Sequence, residues 1–175
     1  MRNKKAQVWI ETVLYTLIGL SLMALVLAFV TPKINESRDR IVIQQTLSSL
    51  NDFDEKVNSV LQATGNIRTI EFTMSRGELT FDSSNNQIIF ELKDSRSVFS
   101  EPDVPINIGR IKVLTTAGTK LNTVALTLAY DQNLTFANSD SLRKFTQAPT
   151  PYKFSIEYLQ APSGNKIVNI DTLER

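Results

Sequence analysis

Residues 12–30 read TVLYTLIGLSLMALVLAFV, nineteen consecutive positions without a charge. As a helix rising about 1.5 Å per residue, this stretch is about 28 Å long, close to the roughly 30 Å hydrocarbon core of a bilayer. The helix of a soluble core shows an apolar stripe and a polar face, whereas here apolar residues point in every direction. The stretch therefore reads as a membrane span. Its flanks orient it. Arg2, Lys4 and Lys5 lie in a tail without an acid, while Lys33, Glu36, Arg38, Asp39 and Arg40 mix both signs on the other side. The basic tail belongs in the cytoplasm, which places everything after Val30 outside. A secretory signal would have a shorter apolar region ending in a small-x-small cleavage site. The chain instead continues Thr31-Pro32-Lys33-Ile34.

Composition narrows the chemistry. The 175 residues include no Cys and no His, so thiolate nucleophiles, imidazole acid–base pairs, disulfides and the usual structural zinc ligands are absent. Nineteen Lys and Arg against eighteen Asp and Glu give a formal charge of +1. That balance lacks the basic footprint by which proteins hold nucleic acid, and no nucleic-acid partner is expected. No enzyme, cofactor or metal centre is expected either. The length allows one ordinary domain beyond the span.

The join between tail and span reads Lys4-Lys5-Ala6-Gln7-Val8-Trp9-Ile10-Glu11. This resembles the class III signal peptide of archaeal type IV pilin-like proteins, in which a basic residue, a small residue and often Gln precede a long apolar helix carrying one Glu. The resemblance covers about the first thirty residues. It implies processing at Lys4, Lys5, Ala6 and Gln7, with a membrane prepilin peptidase cutting between Ala6 and Gln7. Residues 1–6 would then be a leader, and Glu11 the fifth residue of the mature chain. It also implies a pilin-like fold, self-assembly into a homo-oligomeric filament, and an assembly ATPase with a platform protein acting indirectly.

The arrangement makes physical sense without the family. Cutting before the span removes Arg2, Lys4 and Lys5, which leaves sixteen basic against eighteen acidic residues and keeps the anchor. It also creates an α-amine at Gln7, near the only acid of the span region. Among helices packed away from water a carboxylate costs several kcal/mol unless paired. The Gln7 amine of an adjacent copy is a partner that would set the axial stagger between helices, as one polar group sets register in a coiled-coil seam. The competing reading of Glu11 is an interfacial residue favoured by the helix dipole and reaching the head groups. Trp9 and Tyr15 suit the membrane interface. Ala24 with Ala28 forms a lone small-xxx-small pair.

Past the span, Pro32 is expected either to kink the helix or to restart it with Thr31 as N-cap. From Ile41 the apolar positions Ile43, Leu47, Leu50, Phe53, Val57, Val60 and Leu61 recur mostly at steps of three and four, the signature of an amphipathic helix over about 33–64, which Gly65 stops. The whole helix is thus expected over 7–64. Beyond it the period becomes two. Ile70, Phe72 and Met74 alternate with polar residues, and strands follow at Glu78–Phe81, Gln87–Leu92, Arg110–Leu114, Val124–Tyr130, Tyr152–Tyr158 and Lys166–Ile170. The turn between the last two is expected at residues 161–165. The fold class is α+β: a long N-terminal helix packed on a mainly antiparallel β domain over 65–175, either one sheet wrapped on the helix or a small sandwich.

Asn35-Glu36-Ser37 and Asn133-Leu134-Thr135 match the N-glycosylation pattern. The acid pairs Asp52/Asp54 and Asp82/Glu78 lack EF-hand spacing and read as solvated faces. Two functions remain: a structural subunit of a surface filament, or a membrane-anchored β domain that stays monomeric and binds a carbohydrate, peptide or surface layer. An adhesive pilus, a swimming filament and a pseudopilus share this N-terminal plan.

Overall fold

The computed structural model describes residues 4–160, 164 and 166–173, and the side chains of these from Val8 onward. Helix α1 runs unbroken from Lys4 to Val60. The chain divides into two compact units, one up to Arg38 and one from Asp39 onward. Pro32 neither stops nor restarts the helix. It removes the N–H that would bond the carbonyl four residues back. The Thr31 hydroxyl caps nothing and donates to the Leu27 carbonyl at 2.7 Å.

α1 ends at Val60, short of the expected Thr64. The Leu61 N–H still reaches Val57 O at 3.1 Å, and then the turn tightens as Ala63 N–H bonds Val60 O at 3.4 Å. Gly65 takes a left-handed φ of 80°, a conformation that glycine adopts without a Cβ penalty. It turns the chain so that its N–H donates to Tyr158 O at 3.0 Å. The helix thus ends by handing its backbone to a strand.

Ten strands follow: β1 (Ile67–Phe72), β2 (Glu78–Asp82), β3 (Gln87–Ser95), β4 (Ile106–Ile108), β5 (Ile111–Thr116), β6 (Asn122–Ala129), β7 (Asn133–Phe136), β8 (Leu142–Thr146), β9 (Tyr152–Gln160) and β10 (Lys166–Thr172). They form two sheets, β4-β5-β6-β3-β2-β8 and β1-β9-β10-β7. Every pairing is antiparallel except β7 with β10, which run parallel in the register Ile167 to Asn133. The expected α+β class is what the structure shows. Of the turn expected between β9 and β10, only Gly164 lies within the described residues.

The core forms where α1 and the inner faces of the two sheets meet. Ile43, Leu47, Leu50, Phe53, Val57 and Val60 are all buried, as their spacing predicts for one helix face. Alternation does the same for strands: Leu79 and Phe81 on β2, Ile88, Phe90 and Leu92 on β3, and Phe154, Ile156 and Tyr158 on β9 point inward. Phe81 is the hub. Its ring centroid lies 5.2 Å from Phe154 of the other sheet, 5.3 Å from Phe136, 5.8 Å from Phe145 and 6.0 Å from Phe53 of α1. These separations suit edge-on and tilted aromatic pairs, each worth about 0.5–1.5 kcal/mol beyond the area it buries.

Gly77, in the turn before β2, has φ 93°. A Cβ there would lie 2.5 Å from Phe90 Cζ and 2.8 Å from the Glu91 carbonyl oxygen. Gly77→Ala is therefore expected to cost about 2–3 kcal/mol, from the left-handed backbone and the overpacking together. Thermal unfolding of the full chain measures this, and a stability unchanged within about 0.5 kcal/mol would contradict it.

Candidate functional site

From Lys4 onward the unit up to Arg38 is helical, and every residue from Val8 to Ile34 is exposed. Trp9, Tyr15 and Phe29 each expose at least 70% of their surface, and Leu and Val fill the rest of the circumference. An isolated soluble protein seldom presents apolar surface on this scale. The helix is long and apolar enough to cross a membrane. Its hydroxyls suit that medium. Thr12 donates to Val8 O at 2.9 Å, Thr16 to Thr12 O at 3.0 Å and to Val13 O at 2.9 Å, and Ser21 to Leu17 O at 2.8 Å. These three hydroxyl hydrogens are thus satisfied within the helix, as hydrocarbon surroundings require. Charge resumes beyond the apolar stretch, where Lys33 Nζ meets Glu36 Oε2 at 2.8 Å.

Glu11 is the one charged residue between Val8 and Thr31. The backbone of Lys4, Lys5, Ala6 and Gln7 belongs to the same helix, while their side chains, and Arg2 altogether, lie outside the described residues. Four positions separate Gln7 from Glu11, which is one turn, or about 6 Å along the axis, on one face. Trp9 and Tyr15 flank this end.

The other residues singled out from sequence separate into distinct surroundings. Asn35 is half-buried within α1. Asn133 is exposed as the first residue of β7, at the edge of its sheet, and Thr135 of its sequon donates to Asn169 Oδ1 at 3.0 Å. Asp52 is exposed, as a solvated face requires, whereas Asp54, Glu78 and Asp82 each meet a partner. Asp54 takes Arg110 Nη1 at 2.7 Å, and that guanidinium lies 5.3 Å from the Tyr130 ring centroid. Burial first, and the Asp54 carboxylate second, raise the Tyr130 phenol well above its usual pKa. Glu78 meets Lys144 at 2.7 Å, and that hydrogen bond holds its carboxyl below the ordinary carboxylate range against the opposing effect of burial. Asp82 accepts from the Asn85 backbone at 3.2 Å and its side chain at 2.8 Å, closing the turn into β3. No group of three or more metal-ligating side chains occurs among the described residues.

One residue escaped the sequence reading. Asp39, placed there on the mixed-charge flank, is buried. Its Oδ1 accepts from Arg76 Nη1 and its Oδ2 from the Arg96 N–H at 2.7 Å. The signal was present: Asp39 lies four residues before Ile43 and so shares its face of the helix. A buried carboxylate on that face needs partners, and the segment before β2 and the residue just after β3 supply them.

Comparison of the chain with protein-family models, with curated proteins and with solved structures finds no match.

Proposed function

We propose that the chain is a structural subunit of a type IV pilus-like surface filament, made as a single-pass precursor with its N-terminus in the cytoplasm and its β domain outside. A prepilin peptidase cuts between Ala6 and Gln7, and an ATPase with a platform protein drives assembly. The mature apolar helices bundle into a filament interior and the β domains coat it. The observation that carries this reading is the helix from Val8 to Val30, apolar and exposed on all sides, with one acid placed a turn beyond Gln7. The internally bonded Thr and Ser hydroxyls support it, because they stay satisfied when such a helix leaves lipid for a bundle of its copies. Asn133, exposed at an edge strand, is the sequon open to an N-linked glycan; Asn35, within a regular helix, is not.

Intact mass spectrometry of the protein purified from its own cells tests this. The expected result is a polypeptide beginning at Gln7, with any glycan on the peptide that carries Asn133. A mature chain that retains residues 1–6 would reduce the protein to a plain membrane-anchored domain.

A further inference from the structure

Two adjoining clefts, of about 420 and about 350 Å³, open on the unit that begins at Asp39. Thr73 and Ser75, between β1 and β2, line both. Gln147 closes the first together with Ala148 and Pro149, and Gln45, Ser48 and Ser49 of α1 close the second. These six hydrogen-bonding side chains come from three separate segments, and none is charged. The helix contributes through an unusual run, since Ile41 to Asn51 carries no charge, while Arg38, Asp39 and Arg40 precede it and Asp52, Asp54, Glu55 and Lys56 follow. Among the described residues, none of the six side chains donates to or accepts from another protein group.

The walls are held in place. The Ala148 N–H donates to Met74 O at 3.3 Å, and Met74 is buried between Thr73 and Ser75. The Tyr152 hydroxyl donates to Thr146 O at 2.8 Å, and Pro149 and Pro151 restrict the connection between them. Arg76, next to Ser75, is committed to Asp39. The clefts therefore offer uncharged amide and hydroxyl side chains, most of them solvent-exposed, on a backbone frame that is held in place, and their lining is more apolar than polar. An anion would call for a cation in the wall and a cation for a carboxylate, and neither lines these clefts among the described residues. A neutral molecule dense in hydroxyls matches them.

We propose that the paired clefts bind a neutral carbohydrate of one or two sugar units, through Gln45, Ser48, Ser49, Thr73, Ser75 and Gln147. The proposal goes beyond the filament reading and does not depend on it, because the clefts lie within one unit of one chain. The full chain in phosphatidylcholine nanodiscs would be titrated with maltose, mannobiose and chitobiose, and with glucuronic acid as a charged control, by saturation-transfer NMR. Saturable binding of at least one neutral sugar is expected with a Kd of about 1 mM, as befits a few solvent-edged hydrogen bonds. Thr73→Trp, which fills the wall shared by both clefts, should abolish binding. Gln147→Ala, on an exposed connection where folding is not at stake, should weaken it at least about threefold, on the scale of one hydrogen bond. No saturation with any of the three neutral sugars, equal binding of glucuronic acid, or affinity unmoved by both variants would overturn the proposal. A chain that binds sugar yet never forms filaments would leave it standing and remove the filament reading alone.

Discussion

Phe81→Ala is expected to destabilise the β-rich unit by about 3–5 kcal/mol, the usual cost of deleting a fully buried aromatic ring. Phe81 has no exposed surface, and its ring meets those of Phe53, Phe136, Phe145 and Phe154. These neighbours come from α1, β7, β8 and β9, so the hole left behind borders the helix and both sheets. Elements fixed by their own ladders cannot all collapse into it, which puts the cost at the upper end. Phe81→Leu keeps most of the volume and should lose less than half as much. Denaturant unfolding of the full chain in nanodiscs, followed by near-ultraviolet circular dichroism, gives both values. A loss below about 1 kcal/mol for the Ala variant would show that the aromatic cluster is not the centre of the fold.

Glu11→Leu is expected to abolish filaments while leaving the protein processed and membrane-inserted. In the proposed assembly, the Glu11 carboxylate meets the α-amine of Gln7 on an adjacent subunit. Removing the acid strands that amine among apolar helices, and breaking a desolvated pair from one side costs about 3–5 kcal/mol. At about 1.4 kcal/mol per tenfold, each subunit contact weakens by two to four orders of magnitude. The loss recurs at every subunit added, so the outcome is nearly all-or-none by electron microscopy of shed filaments. Leu raises the apolarity of the span, so membrane fractionation should be unchanged. Filaments of normal length and number would remove Glu11 from the assembly mechanism.

Local pattern made part of this molecule legible. The stripe from Ile43 to Val60 and the alternation from Phe154 to Tyr158 are decided by which residues must leave water, and the structure buries these positions. The apolar span was legible for the same reason. Three strands were not. β4 is three residues long and largely exposed, β7 has only four residues, and β8 carries Arg143 and Lys144 on an edge, so none has a period long enough to register. The end of α1 was misplaced because the last turn tightens after Val60, and Gly65, instead of ending the helix, turns the chain to a bond with Tyr158, more than ninety residues away. The paired clefts were invisible for a related reason, since their walls unite residues 45–49, 73–75 and 147–149, and no single stretch hints at the others.

The parallel pairing of β7 governs when the domain can finish folding. Within its sheet β7 has β10 as its neighbour, and about thirty residues carrying β8 and β9 intervene. One of those strands joins the opposite sheet, so pairing β7 with its neighbour in its own sheet closes a long loop and awaits the last strand of the chain. In the proposed topology, where the domain follows the anchored helix across the membrane, the chain would stay pliable until β10 emerges, and lock only on the far side.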